Sequence, residues 1–253
     1  MSARKLHPAH HYRRSLGVQF FVGNASQAVK AGMRGGLVVA PAAASLLDLH
    51  HDKDYRQALL ESDLAITDSG FMVLMWNALA MDNIPRVSGL KYLKLLLSQP
   101  EIRHADATFW VMPSEEALQR NLKWLRAHGV RLEEKNCYVA PKYSPGTIRD
   151  ETLLKLINAR RPAHVVITIG GGVQERLGLF LKRHCDFRPG IHCIGAAIGF
   201  LTGDQAPIPD WADQWMLGWF FRCASNPNRF VPRYTKAFRL GMMLLRYRDQ
   251  MPM

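Results

Sequence analysis

Short runs of β-branched and aromatic residues alternate along this chain with longer segments of helical periodicity, and this alternation restricts the fold more than any other feature. The runs are almost continuously apolar, which is typical of strands buried on both faces. Six strands are predicted, over 36–40, 63–68, 108–112, 136–140, 164–169 and 191–195. Helices are predicted over 24–34, 42–60 (with a break allowed), 70–81, 89–98, 115–128, 147–160 and 174–184. The pattern predicts an α/β fold, a Rossmann-like parallel sheet with helices on both faces.

The alternation ends near residue 203, where a Gly-Asp-Gln sequence and two prolines interrupt it. Beyond this break Trp211, Trp215 and Trp219 step by four residues along one helical face, and a second helix is predicted from about Arg229. We therefore divide the chain into three parts: a basic N-terminal segment (1–19), an α/β domain (20–203) and a C-terminal basic and aromatic helical appendage (204–253).

The basic excess of the chain, a formal net charge of +12, is concentrated near its two ends. Residues 1–14 carry four basic and no acidic side chains, and residues 220–253 carry seven basic and one acidic. The region between them therefore contributes only +2. Such cationic ends attract an anionic partner: a nucleic acid, a membrane surface or a phosphorylated ligand.

The second C-terminal helix separates basic residues from an apolar stripe, which favours a membrane surface among those partners. The apolar stripe comprises Phe230, Tyr234, Phe238, Met242 and Leu245. The basic side comprises Arg229, Arg233, Lys236 and Arg239. Two other interpretations stay open: an ordinary helix packed on the core, and a helix that buries its stripe against a second subunit in a homo-oligomer.

Several classes of protein are disfavoured by the residues and spacings found. The four cysteines have no CxxC spacing, which predicts reduced cytosolic thiols rather than disulfides or structural zinc. The ten histidines lack metal-ligand spacing, so no metal site is predicted. We find no secretory signal and no run near the roughly 18 apolar residues of a spanning helix, and therefore predict a cytoplasmic chain.

Asp68 ends the second predicted strand, directly before a helix. In open α/β sheets ligands bind beyond the carboxyl ends of the strands, and a carboxylate there can act as a general base, bind a ribose or ligate a metal. The alternative is that Asp68 only caps the helix that follows it.

Glycines follow two further predicted strands. Gly170, Gly171 and Gly172 precede a helix whose N-terminus favours anions, so this turn is a candidate phosphate or sugar site, with a plain tight turn as the alternative. The turn matches neither a P-loop nor a GxGxxG fingerprint. Gly195 follows the last strand and permits close approach of a ligand.

Arg86 lies in a loop before a helix and has the planar fork that suits phosphate, with an ordinary surface arginine as the alternative.

Five motifs in the same order make the chain similar to the WecG/TagA/CpsF family of bacterial glycosyltransferases (glycosyltransferase family 26), from about Phe20 to Tyr234. The motifs correspond to Thr67-Asp68-Ser69-Gly70, Arg86-Val87-Ser88-Gly89, Gly170-Gly171-Gly172-Val173-Gln174-Glu175, the segment 195–203, and Trp211 through Trp219 with Arg222, Pro227, Arg229, Arg233 and Tyr234. The resemblance implies inverting transfer from a UDP-sugar to a polyprenyl-diphosphate-linked saccharide in cell-surface polysaccharide synthesis. It further implies work at the inner face of the cytoplasmic membrane, with no metal or other cofactor required.

The resemblance also implies roles for individual residues. Asp68 is the expected catalytic base. The expected substrate-binding residues are Arg86, Gly170, Gly171, Gly172, Gln174, Glu175 and Gly195, with Gln174 and Glu175 bonded to sugar or uridine hydroxyls. Arg222, Arg229 and Arg233 are expected to neutralise the lipid diphosphate or the leaving UDP.

The chain departs from the family pattern where typical members carry other residues. The family's Thr-Pro-Asn is Ala40-Pro41-Ala42 here, its Gly-Gly after the third strand is replaced by Met112-Pro113-Ser114, an acid becomes Lys91 and an arginine becomes Ile208. Loss of the Thr and Asn side chains removes hydrogen bonds to a particular donor or to the reacting groups. We therefore expect a divergent branch with a different donor sugar, with an inactive relative as the alternative.

Two rival functions stay open at this stage. The basic termini suit nucleic acid, but no RRM, helix-turn-helix or KH pattern is present, and we expect no nucleic-acid partner. The second rival is a Rossmann-type oxidoreductase, which is disfavoured because the glycine-rich turn follows a late strand and lacks GxGxxG.

Overall fold

In the residues that the computed structural model describes, 12–205 and 237–252, eight strands form one sheet. The strands are β1 (Tyr12–Ser15), β2 (Val18–Phe21), β3 (Gly36–Val39), β4 (Leu64–Ile66), β5 (Thr108–Met112), β6 (Cys137–Val139), β7 (His164–Ile167) and β8 (Gly190–Cys193). They lie in the order β1-β2-β4-β3-β8-β7-β5-β6. β1 is antiparallel to β2, and all other neighbouring pairs are parallel. The predicted α/β fold is confirmed, as are the six predicted strands, with ends that differ by at most two residues.

Helices cover both faces of the sheet. They are α1 (Ala25–Gly32), α2 (Ala43–Leu46), α3 (Lys53–Leu60), α4 (Gly70–Ala80), α5 (Gly89–Leu97), α6 (Pro100–Arg103), α7 (Glu115–Ala127), α8 (Glu151–Arg160), α9 (Val173–His184), α10 (Gly199–Thr202) and α11 (Ala237–Tyr247). Alternate residues of a strand enter different hydrophobic clusters: Leu37 and Val39 pack on one side of β3 and Val38 on the other. Within the described ranges, every helix falls short of the length and apolarity that a membrane crossing requires.

Short polar side chains decide where several helices begin. The predicted helix 42–60 is divided because Asp52 accepts a hydrogen bond of 2.8 Å from the third amide of α3. α8 begins at residue 151 rather than 147 because Asp150 caps it in the same way, at 2.9 Å. Ser114 caps α7, with a hydrogen bond of 3.2 Å from the Ala117 amide. Each cap satisfies an amide that has no partner inside its own helix.

The sheet begins inside the segment that the sequence analysis set apart as residues 1–19. β1 and β2 are joined by Leu16 and Gly17, which have positive φ values of 49° and 74°. Two such residues suit the twist of a tight hairpin. Their amides donate to the carbonyls of Arg248 (2.7 Å) and Asp249 (3.0 Å), just beyond α11. The boundary at residue 19 therefore does not follow an edge of the fold, because β1 and β2 belong to the sheet. The arginines of β1 resemble a basic tail in the sequence because they are exposed on an edge strand.

α11 belongs to the predicted appendage and packs against α4. Its buried face consists of Leu240, Met243 and Leu244, whereas Met242 and Leu245, from the predicted apolar stripe, are 68% and 47% exposed. These two residues of the stripe are therefore not part of the surface that packs on the core. The remainder of the appendage, residues 206–236 with the predicted tryptophan helix and Arg222, Arg229 and Arg233, lies outside the described residues.

Three buried polar side chains form a chain of hydrogen bonds between α5, β8 and β7. The Tyr92 hydroxyl lies 2.9 Å from His192 Nδ1, and His192 Nε2 lies 3.2 Å from His164 Nδ1. Burial lowers the pKa of His192 to about 3 and also lowers the pKa of His164, so both rings are neutral at neutral pH. Gly32 permits this packing, since a Cβ there would collide with the Tyr92 hydroxyl.

We predict that acid destabilises the fold through these two histidines. Their folded pKa values lie below the ordinary value of about 6.5, so the unfolded chain binds more protons below that pH and stability is lost as the pH falls. In His192→Gln the slope of the free energy of unfolding against pH should decrease by up to about 1.4 kcal/mol per pH unit between roughly pH 6 and 4. Urea unfolding at several pH values measures this slope. The exposed His128→Gln is the control, and an unchanged slope in His192→Gln would contradict the prediction.

Candidate active site

The carboxyl ends of four adjacent strands, β4, β3, β8 and β7, form the candidate site. Asp68 follows β4, residues 40–42 follow β3, Gly195 follows β8, and the turn 170–172 follows β7. Parallel strands end at one edge of a sheet, so these segments lie side by side although they are far apart in the sequence. The structure thereby brings together most of the site residues that the sequence predicted.

Asp68 is half-buried and is held by the start of a neighbouring helix. Its Oδ1 accepts a hydrogen bond of 2.8 Å from the Gly89 amide, and no described residue donates to its Oδ2. α4 is capped by Ser69, which accepts a hydrogen bond of 3.2 Å from the Met72 amide. The alternative interpretation of Asp68 as that cap is therefore wrong. One carboxylate oxygen is therefore anchored, and the other accepts no hydrogen bond from the described residues.

The loop before α5 is bound to the end of β4 and carries Arg86. Thr67 Oγ1 donates to the carbonyl of Pro85 at 2.7 Å and accepts from the amide of Val87 at 3.0 Å. Arg86 Nε donates to the main-chain carbonyl of Asp68 at 2.9 Å. These bonds place a guanidinium group, which suits phosphate, beside the candidate base.

The turn formed by Gly170, Gly171 and Gly172 leaves open space around it. A Cβ added at Gly170 or Gly172 would meet no atom of the described residues within 4 Å, and Gly170 and Gly171 are exposed. Gly172 has a φ of +86°, a conformation that favours glycine. Gly171 packs closely on α2, where a Cβ would lie 2.7 Å from Ser45 Oγ. The turn therefore presents bare backbone beyond β7 and leads directly into the N-terminus of α9.

Gln174 and Glu175 lie beneath this turn, with exposures of 2% and 0%. Glu175 Oε2 accepts from the Gly172 amide at 2.6 Å, and its Oε1 accepts from Gln174 Nε2 at 3.0 Å. Gln174 Oε1 accepts from the amide of Gly195 at 2.7 Å. The expectation that Glu175 bonds a sugar or uridine hydroxyl is revised, because both of its oxygens are used inside the protein and neither reaches the surface.

Arg176 is a residue of this site that the sequence analysis missed. Its Nε donates to the Gly172 carbonyl at 3.1 Å, its Nη1 donates to the Gly146 carbonyl at 2.6 Å, and its guanidinium lies 3.8 Å from Asp52. A basic residue near the start of a helix opposes the helix dipole, and this mismatch is the signal that identifies it. Burial raises the pKa of the adjacent Glu175 to about 7, against the opposing effects of its hydrogen bonds and of Arg176.

The described thiols do not contribute a nucleophile. Cys137, Cys185 and Cys193 are free, and burial raises the pKa of each, for Cys137 to about 12 and for Cys185 to about 11. A protonated thiol is a poor nucleophile at neutral pH.

Within the part of the chain that the structure describes, no three His, Cys, Asp or Glu side chains come close enough together to hold a metal ion. Cys223 lies outside that part.

An exposed apolar and cationic surface is formed by two helices next to the site. α4 begins two residues after Asp68, contains no charged side chain, and exposes 54% of Leu74. α11 packs against α4 and contains two arginines and no acidic residue. We call the exposed residues of these helices the α4–α11 face; it comprises Leu74, Arg239, Met242, Leu245 and Arg246.

Comparison with known proteins agrees with this geometry. The profile of the glycosyl transferase WecG/TagA/CpsF family matches residues 14–251, from β1 through α11. Among curated proteins, the search finds no significant match. The match confirms the resemblance predicted from the motifs and extends it to both ends of the fold. The chain therefore belongs to the WecG/TagA/CpsF family of glycosyltransferases, which act in cell-surface polysaccharide synthesis.

Proposed function

We propose that this chain is an inverting glycosyltransferase that moves a sugar from a UDP-sugar to a polyprenyl-diphosphate-linked saccharide, with no metal ion required. The proposal is carried by the geometry of Asp68, whose Oδ1 is anchored by the Gly89 amide while no described residue uses its Oδ2. The same edge of the sheet holds the turn 170–172, which suits a phosphate or a sugar. A base and a donor site on one edge are the two parts that such a transfer needs.

In this proposal Asp68 Oδ2 takes the proton of an acceptor hydroxyl. The acceptor oxygen forms a bond to the anomeric carbon of the donor sugar while the bond from that carbon to UDP breaks on the opposite face. The electron pair of the broken bond leaves with UDP, and the configuration of the anomeric carbon inverts. The hydrogen bond from Gly89 keeps the carboxylate in one orientation, which is how a fixed base lowers the barrier.

Negative charge develops on the leaving UDP, and cationic groups near the site support its departure. Arg86 lies beside Asp68, and the first amides of α9 follow the turn 170–172. We assign Arg222, Arg229 and Arg233 to the lipid diphosphate or to UDP, because the arginine fork binds phosphate through two parallel hydrogen bonds.

The segment after β3 supports a donor different from that of typical family members. Ala42 occupies the cap position of α2 with no side-chain hydrogen bond, and Ala40 is buried. Typical members carry Asn and Thr at these positions, so two polar side chains that a donor sugar can contact are missing here. We propose that this branch of the family uses a different UDP-sugar.

We further propose that the chain works at the inner face of the cytoplasmic membrane, with its α4–α11 face on anionic lipid. Exposed apolar side chains gain free energy when they leave water, and arginines beside them attract anionic headgroups. α4 starts immediately after the candidate base, so this contact would bring a lipid-linked acceptor close to Asp68. A second copy of the chain is the competing occupant of this face.

The base role predicts that Asp68→Asn loses transfer while keeping its fold. The amide oxygen of Asn can still accept from Gly89, but it cannot take a proton, so the rate should fall roughly 100-fold or more. A panel of UDP-sugars with a lipid-diphosphate acceptor, followed by mass spectrometry of the product, measures the rate. Asp186→Asn, a surface carboxylate paired with Arg161, is the matched control. Transfer by Asp68→Asn at a rate close to wild type would remove Asp68 from the base role.

The donor site predicts that Gly170→Ala weakens donor binding without loss of stability. The new methyl group meets no protein atom within 4 Å, so thermal unfolding should be unchanged. It occupies space that the donor needs, and the donor KM should rise roughly ten-fold or more. Steady-state kinetics with the donor found in the panel measures this change. An unaltered KM would exclude close approach of the donor to this turn.

The membrane contact predicts that the double variant Met242→Glu, Leu245→Glu binds anionic vesicles about ten-fold more weakly, because two exposed apolar side chains of the proposed lipid contact are replaced by charges. Sedimentation with phosphatidylglycerol vesicles measures the binding. Leu60→Glu is the control, since Leu60 is 44% exposed and belongs to α3, which is not part of this face. Unchanged vesicle binding would contradict the proposal. Loss of a dimer in sedimentation velocity, with vesicle binding intact, would assign the face to a second copy.

A further inference from the structure

Two adjacent side chains of α9 hold Gly172 from opposite sides. Glu175 accepts a hydrogen bond from its amide at 2.6 Å, and Arg176 donates to its carbonyl at 3.1 Å. Gly172 is the residue of the turn with positive φ, a backbone conformation that favours glycine. The two contacts therefore hold the residue with the least common backbone conformation in the turn. The shape of the turn 170–172 therefore depends on two buried charged groups.

Glu175 also connects this turn to the end of β8. The Gln174 amide lies between them: Nε2 donates to Glu175, and Oε1 accepts from the Gly195 amide at 2.7 Å. A carboxylate can only accept, so it forces the amide of Gln174 to direct its oxygen toward Gly195. The residue before Gly195 is next to Gly89, where a Cβ would lie 3.5 Å from the Ile194 carbonyl oxygen. Hydrogen bonds thus connect the turn to Gly195, and the residue before Gly195 lies near Gly89, which anchors the candidate base.

Ionisation of the buried Glu175 carboxyl costs stability. The side chain is 0% exposed, and burial raises its pKa to about 7. The groups that face it are Arg176 on its own helix, Tyr55 from α3 and Cys193 from β8, and Asp52 approaches Arg176. Because the pKa of Glu175 in the folded chain lies above its pKa in the unfolded chain, stability is lost as the pH rises through the interval between these two values. A group that works against the folded state indicates a role in function.

We propose that Glu175 is a positioning residue for the nucleotide-sugar donor, which acts through the Gly172 and Gln174 amides without touching the ligand. The inference rests on the proposed transferase function. When Glu175 is ionised, both oxygens accept hydrogen bonds and the turn is held in the form seen here. A proton on either oxygen removes one acceptor and releases the turn or the Gln174 amide. Donor binding therefore weakens as the pH falls and Glu175 takes up its proton.

Glu175→Gln tests this role, because the amide has nearly the same size but one acceptor oxygen in place of two. The donor KM at about pH 8 should rise roughly ten-fold, with a smaller change in kcat. The dependence of KM on pH between about 6 and 8 should disappear, and the Tm at pH 8 should be no lower than that of the wild type. Glu151→Gln removes an exposed carboxylate from the first turn of α8 and should change none of these quantities.

Two results of this experiment would overturn the inference. The first is a wild-type pH profile of KM in Glu175→Gln. The second is a higher KM together with a lower Tm at pH 8, which would assign Glu175 to stability alone. If the wild-type chain transfers sugar from no member of the UDP-sugar panel, the proposed function is contradicted instead. Amide NMR, which requires no transfer, then decides whether Glu175 positions the turn.

Amide NMR of the wild-type chain needs neither a variant nor a donor. With ¹⁵N-labelled glycine, the amides of Gly172 and Gly195 should shift together with one midpoint near pH 7, because both depend on the charge of Glu175. Triple-resonance experiments on a uniformly ¹³C,¹⁵N-labelled sample identify these two signals. Gly129, whose surroundings are open, is the reference. Amides of Gly172 and Gly195 that stay fixed between about pH 6 and 8 would overturn the inference.

Discussion

One constraint organises this structure: parallel strands joined through helices must all end at the same edge of the sheet. From β2 to β6 across the sheet, every neighbouring pair of strands is parallel. This common direction places Asp68, Gly195 and the turn 170–172 side by side, although the chain between them is long. The candidate active site is therefore a consequence of the sheet topology. Hydrogen bonds from its side chains then connect the segments that follow the strands.

Buried polar side chains are satisfied in two different ways in this molecule, by neutral partners in one place and by charge-assisted hydrogen bonds in another. Between α5, β8 and β7, two histidines and Tyr92 satisfy one another as neutral groups, which limits the cost of their burial. Beneath the turn 170–172, Glu175 and Arg176 are charged or near their titration range, and each is bonded to Gly172. Charge is thus buried beneath the turn that we propose as the donor site, and is avoided between α5, β8 and β7, where the side chains only pack.

Much of the fold is predictable because the apolar runs are almost continuous and are separated by helical segments, and the exceptions have identifiable causes. The hairpin of β1 and β2 is hidden from pattern reasoning because its arginines are exposed on an edge strand and its turn is completed by the distant Arg248 and Asp249 carbonyls. The face of α11 that packs on the core is a second exception, because Leu240, Met243 and Leu244 are buried whereas Met242 and Leu245 of the predicted stripe are exposed. Helical periodicity gives the separation of faces, but a neighbouring helix decides which face is covered.

At the site, Asp68, Arg86 and the three glycines are recognisable from residue type and position, since strand ends, bare backbone and a planar cation are local properties. Family membership follows from the same local motifs, which the profile match over 14–251 confirms. The burial of Glu175, the contacts of Arg176 and the anchoring of Asp68 by Gly89 are not visible in that way. They are hydrogen bonds between segments far apart in the chain or burial by other elements, and such contacts exist only after the sheet and its helices have come together.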